Sequence, residues 1–358
     1  MTRLAGQLGL DQAGGDFGGV ALGYPELPQR LDDKPVQAFW RDLHRRALVL
    51  PSAIAVTPSG EQWTLRFGDQ QAVVVEVGGG LRSYEAAGRP VLDGYAVDEM
   101  CSGGRGQVLV PWPNRLGDGR YTFAGRTLQL PLSEPARRNA IHGLVRWLPW
   151  QLKDRDPTHV TVTLTLRPQP GYPFHLRVEV DYSLSDDGLR VVVSATNVGP
   201  DALPYAAGHH PYLTLGENLV DTASIELAAS KVIEVDERGL PVRLMDVEAT
   251  DLDFRRRRTI GPTALDTAFG GLERDQAGRA WLRMQSRDGQ QQVGLWMEPA
   301  YEFVMLYTGD HLEDPARRRR GLAVEPMTAP PNALASGDGL ITLGPSQSHM
   351  SAWGITVA

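Results

Sequence analysis

From Pro51 onward the pattern changes to a period of two, with apolar residues at alternate positions in several segments. His159–Arg167 sets Val160, Val162, Leu164 and Leu166 on one face and Thr161, Thr163 and Thr165 on the other. His175–Leu184 repeats the pattern, and Asp186-Asp187-Gly188 turns the chain into Leu189–Ala195. One apolar and one polar face per segment is the mark of antiparallel sheets. Gln62–Phe67 and Ala72–Val77 read as strands, and Tyr121–Leu130 reads as a hairpin turning at Ala124-Gly125. Trp281–Ser286 and Gln291–Met297 form a pair about Arg287-Asp288-Gly289, and Leu340–Leu343 and Met350–Val357 are the last candidates. Few segments after residue 51 carry a helical period. The 39 glycines and 26 prolines supply turns for many short strands. The pattern therefore predicts an all-β chain, a large antiparallel β-sandwich of two long sheets spanning 51–358.

The first fifty residues are expected to form a separate N-terminal extension. Residues 1–30 are Gly-rich, unpatterned and expected to be partly disordered. Residues 35–50 read as an amphipathic helix, with Val36, Phe39, Trp40, Leu43 and Ala47 at helical spacing. Asp32 or Asp33 suits its cap and Pro35 its first turn. Met1–Pro28 has no apolar stretch for a signal-peptide core, and the run Ala47–Val56 is broken by Pro51 and too short to span a bilayer. A cytoplasmic location is the expectation. The net charge of −7 argues against nucleic acid or an anionic membrane as partner. Cys101 is the single cysteine, so an intrachain disulfide framework and a cysteine-based zinc site are excluded.

No P-loop, no Gly-x-Ser-x-Gly elbow and no His-Glu-x-x-His helix occurs. The candidate chemistry is scattered among turns. Pro111-Trp-Pro-Asn-Arg-Leu-Gly-Asp-Gly119 holds Asn114 and Arg115, whose donors and acceptors suit vicinal hydroxyls. Taken alone, they also read as a turn Asn and a surface Arg. Asn139-Ala-Ile-His-Gly143 places His142 near Trp147 and Trp150, a mixture that suits a sugar or a satisfied core histidine. In Gly208-His-His-Pro-Tyr-Leu213 an extended backbone sends His209 and His210 to opposite sides, so one of them faces a given pocket. A tandem-histidine metal site needs further ligands that no nearby spacing supplies. Asp266 reads as a turn or cap residue. Glu325 follows an apolar run and precedes Pro326, and burial there raises its pKa toward that of a usable base. The runs Arg255–Arg258 and Arg317–Arg320 read as solvated loops or a phosphate site.

Taken together, Glu76-Val-Gly-Gly-Gly-Leu-Arg-Ser-Tyr84, Val91-Leu-Asp-Gly94, Asn114-Arg115, His142-Gly143, His210-Pro-Tyr212, Asp266 and Ala323-Val-Glu-Pro-Met327 resemble the aldose 1-epimerase (mutarotase) family from about Gly60 onward. The resemblance implies the galactose mutarotase-like β-sandwich, an isomerase of free aldohexoses, and neither cofactor nor metal. It implies that Glu325 is the general base at the anomeric hydroxyl and His210 the general acid at the ring oxygen. It implies His142 as a second active-site histidine and Asn114, Arg115 and Asp266 as substrate-binding residues. The expected partner is a small-molecule sugar, with the chain a monomer or homodimer. A carboxylate close to His210 is expected to raise its pKa. Alternatives are a hexose-6-phosphate 1-epimerase with a phosphate pocket at Arg257 or Arg318, a glycoside hydrolase using Glu325 and Asp266, and a non-catalytic carbohydrate-binding protein.

Overall fold

The computed structural model describes residues 56–216 and 219–357. The expected N-terminal helix over 35–50 lies outside these residues. The alternating segments form the strands their pattern predicts. His159–Leu166, Leu176–Ser185 and Gly188–Asn197 make an antiparallel meander whose inward positions are buried and whose outward ones are not. This meander lies one strand in from the edge of a nine-stranded sheet. In order, its strands are Gln151–Asp156, the three of the meander, Ser348–Val357, Gln292–Met297, Ala280–Gln285, Ser224–Leu227 and Arg258–Thr259. Its outer strand Gln151–Asp156 is densely charged, which discourages pairing with another chain.

A second long sheet runs Pro241–Asp246, Ala229–Val235, Asp266–Leu272, Phe303–Tyr307, Leu322–Met327, Gly208–His209 and Val108–Leu109, with Tyr212–Leu213 also pairing with Leu322–Met327. Several of these strands are short, and Leu322–Met327 is buried at every position. One apolar cluster joins the two sheets, taking Val178, Val180 and Val193 from the first and Phe269, Leu306 and Val324 from the second. Burying such side chains contributes roughly 1.5–3 kcal/mol each. A four-stranded sheet, Gln62–Phe67, Gln70–Val75, Leu81–Ala86 and Arg89–Pro90, packs into the same cluster through Trp63, Leu65, Val74 and Tyr84. The two-sheet sandwich expected from the sequence is present.

The strand Gly208–His209 carries a steric stop. A Cβ at Gly208 would stand 2.8 Å from the Pro113 Cβ and 3.0 Å from the Pro326 carbonyl oxygen, so only glycine fits there.

Candidate active site

Two residues in left-handed backbone conformations brace each other beside the second sheet. Asn114 has φ 54° and His142 has φ 61°. The Asn114 N–H donates to His142 Nδ1 at 3.2 Å, and the His142 N–H donates to the Asn114 carbonyl at 3.0 Å. Each such conformation costs on the order of 1–3 kcal/mol for a non-glycine residue and persists where the surroundings over-determine it. Here the pairing of Arg115–Gly117 with Asn139–Ile141 holds both residues at the end of one ladder.

His210 is fixed through its backbone. Its N–H donates to the Gln107 carbonyl at 3.1 Å, and its carbonyl accepts from Gly106 at 2.9 Å. Its neighbour His209 points the other way and packs on Trp353 with ring centroids 5.2 Å apart. The expected division of the doublet into two faces is observed. Glu325 comes from the middle of the fully buried strand Leu322–Met327, opposite Met305. Its Oε1 lies 3.2 Å from His210 Nε2, and the His142 and His210 rings meet edge-on at 5.3 Å. Three residues far apart in sequence thus bring side-chain nitrogen and oxygen atoms within 4.8 Å of one another.

Burial dominates the electrostatics. It pushes the Glu325 carboxyl well above its usual range, with the Asp266 charge adding to the rise. It pushes the His210 imidazole down to about 3, with the Arg146 and Arg105 charges acting in the same direction. The expectation of a raised His210 pKa is therefore overturned. Desolvation and two cations outweigh the carboxyl, which is itself uncharged once it holds the proton. Both shifts draw a proton shared across the 3.2 Å contact toward Glu325 and leave the His210 imidazole neutral. His142 is also neutral, held well below its usual range by burial and by Arg146. Its Nδ1 accepts from a backbone N–H, so the neutral ring carries its hydrogen on Nε2. The cluster has the residue types of a two-histidine, one-carboxylate metal site. The tautomer opposes that use, because a ligating histidine ordinarily donates its other N–H to a second-shell acceptor. The pattern is that of a donor toward a hydroxyl.

Arg115 and Asp266 meet, with Arg115 Nη2 at 3.5 Å from Asp266 Oδ2. Arg115 Nε is held by Glu134 at 3.1 Å, and Arg137 approaches Asp266 at 3.8 Å. Asp266 opens a strand and is no turn residue. Arg146, four residues past His142, was not singled out from the sequence. It is bound to Gln107 and to the Ile141 carbonyl, both at 3.3 Å. Spacing alone gave no sign that its charge faces all three site residues. Trp150 is buried in the core, whereas Trp147 is half exposed with the Arg146 guanidinium 5.9 Å from its ring. Of the two tryptophans near His142, Trp150 is therefore a core residue and not a surface on which a sugar could pack. The run Arg255–Arg258 lines a surface cavity together with the carboxylates of Glu248 and Asp253. Arg257 pairs with Glu226 at 3.8 Å and Arg318 Nε donates to the Leu312 carbonyl at 2.9 Å.

Comparison with known proteins supports the fold and family. The family model "Aldose 1-epimerase" matches residues 61–355. The uncharacterized protein YihR of Escherichia coli K12 is 38% identical over 292 residues, covering 81% of this chain and 91% of that protein. The aldose 1-epimerase of the same organism is 28% identical over 162 residues, 43% of this chain and 46% of that one. Among solved structures, galactose 1-epimerase from Lactobacillus acidophilus NCFM superposes with TM-score 0.71 at 21% identity, covering 83% of this chain and 94% of that one. Sequence pattern, sandwich and match agree, and the chain belongs to the aldose 1-epimerase family.

Proposed function

We propose that the protein interconverts the α and β anomers of free aldohexoses of the glucose and galactose type. The observation that carries this reading is the 3.2 Å contact between His210 Nε2 and Glu325 Oε1, with His142 beside it. Mutarotation needs one group to take a proton from O1 and another to give one to the ring oxygen. The reacting form of the pair is the carboxylate with the imidazolium, reached from the resting form by moving one proton across that contact. The Glu325 carboxylate takes the O1 proton, the His210 imidazolium protonates O5, the C1–O5 bond breaks and a C1 aldehyde forms. The pair then holds its proton as it does at rest. Rotation about C1–C2 and the reverse transfers close the ring on the other face.

His142 Nε2–H donates to the sugar at or near the ring oxygen. Asn114, Arg115 and Asp266 bind hydroxyls. Because Glu325 Oε2 and His210 Nδ1 are buried with no hydrogen-bond partner among the described residues, a polyhydroxylated ligand has unused capacity to meet. Asp266 engages two arginines, which leaves a hydrolase's paired carboxylates without support.

Polarimetry on freshly dissolved α-D-glucose and α-D-galactose tests the reading. Catalytic amounts of protein should speed the approach to equilibrium rotation. Sugar binding with no acceleration would identify a binding protein instead.

A further inference from the structure

A three-layer stack covers one face of the His210 ring. The Tyr212 ring lies nearly parallel to the imidazole, with centroids 5.0 Å apart and 14° between planes. The Arg105 guanidinium covers the Tyr212 ring at 4.6 Å from its centroid. Arg105 is almost fully buried, and its own charge is tied to Asp93 at 3.0 Å and to the Ser102 carbonyl at 3.1 Å. Asp93 is shared with Arg317 at 3.5 Å, so one carboxylate faces two guanidiniums. The loop that carries Arg105 also touches His210 directly. A Cβ at Gly104 would stand 2.7 Å from His210 Cδ2, and Tyr212 Oη donates to the Gly103 carbonyl at 2.8 Å.

We propose that Arg105 is a positioning residue for the proton-transfer pair, a buried cation that clamps Tyr212 against the face of the His210 imidazole and sets the field that ring feels. The inference rests on the proposed role of His210. A weakly basic ring oxygen is protonated more readily by a strong acid, and a buried cation along the stacking axis disfavours the imidazolium. The other charged or titratable groups facing His210 are Glu325, His142 and Arg146, and of these Arg146 acts in the same direction as Arg105. The Asp93 carboxylate tempers the effect, which gives the device two opposed handles. Removing the cation and removing its counter-charge move His210 in opposite directions.

The test measures the pH dependence of kcat/KM together with the imidazole 15N shifts of His210, in the full-length protein and in Arg105→Met, Arg105→Lys and Asp93→Asn. With Arg105→Met, the acid limb and the His210 titration move to higher pH, by a shift on the order of 0.5–1 unit. Arg105→Lys retains the charge and stays near wild type, and Asp93→Asn moves both to lower pH. Should Arg105→Met fail to fold, Asp93→Asn decides the sign, with Arg105→Lys as the charge-retaining reference. Titrations that do not move, or that move the same way in the Met and Asn variants, overturn the proposal. If the wild-type protein accelerates no aldose, the epimerase reading falls, while the 15N titration still decides whether the stack controls His210.

Discussion

The two long sheets bury comparable side chains by different rules. In the meander His159–Asn197 every second residue faces the core and the rest face outward. In the strand Leu322–Met327 no position faces water, and one of the six is a carboxylic acid. The first sheet is stabilised by what its sequence alternates. The second tolerates Glu325, His209 and His210 in its interior, at a desolvation cost the first sheet avoids. The lesson is a division of labour, in which one sheet supplies most of the regular apolar packing and the other spends part of that stability on a polar site.

The largest expected contrast comes from Glu325→Gln. It should lower kcat by on the order of 10²–10⁴ while leaving thermal stability equal or higher, because the unfolded chain freely ionises a carboxyl whose ionisation burial opposes, a cost that an amide does not carry. Unchanged turnover, measured by anomer exchange in NMR, would remove Glu325 from the mechanism. The converse substitution is Leu176→Ala in the meander. Leu176 is fully buried, and truncation should cost about 2–5 kcal/mol in urea unfolding, with kcat per folded molecule unchanged. A large loss of kcat there would mean the sheets are not separable in function.

His209 sharpens the comparison through pH. Burial holds its pKa down to about 3, against 6.5 for a free imidazole. The unfolded chain therefore takes up a proton that the native state refuses. Stability from this group is complete above about pH 6.5 and declines as pH falls toward 3, by about 2 kcal/mol at pH 5. His209→Phe should flatten that part of the acid dependence relative to wild type, and an unaltered slope would contradict the assignment. The smallest effect is expected at Arg257→Ala, on an exposed loop away from the site. Stability should stay within about 0.5 kcal/mol and activity should be unchanged. A raised KM there, greater for a 6-phosphorylated hexose than for glucose, would revive the phosphate reading.

The same contrast explains what was legible in the sequence. Strands buried on one face write their period into the chain, so Gln62–Phe67 and the pair about Asp288 are found at almost the bounds that alternation predicts. Strands of the second sheet such as Asp266–Leu272 and Phe303–Tyr307 were not read from the sequence. Each buries three consecutive residues, so its burial does not alternate and leaves little period to read. Glu325, His210 and His142 were legible as residue types beside glycine or proline, and through the family resemblance. Arg105 and Arg146 were not, because what matters about them is the stacking partner or the shared charge, and neither has a sequence spacing.

The glycine wedged against Pro113 settles which imidazole does what. Sliding its strand by a single residue would carry a neighbour that bears a Cβ, Ala207 or His209, into that proline and turn every side chain of the segment inside out. A doublet of identical rings would otherwise tolerate such slippage, exchanging a core-filling ring for a proton-carrying one with little change in composition. The collision makes the two rings non-interchangeable, and so a hydrogen atom's worth of room at position 208 keeps the chemistry in register.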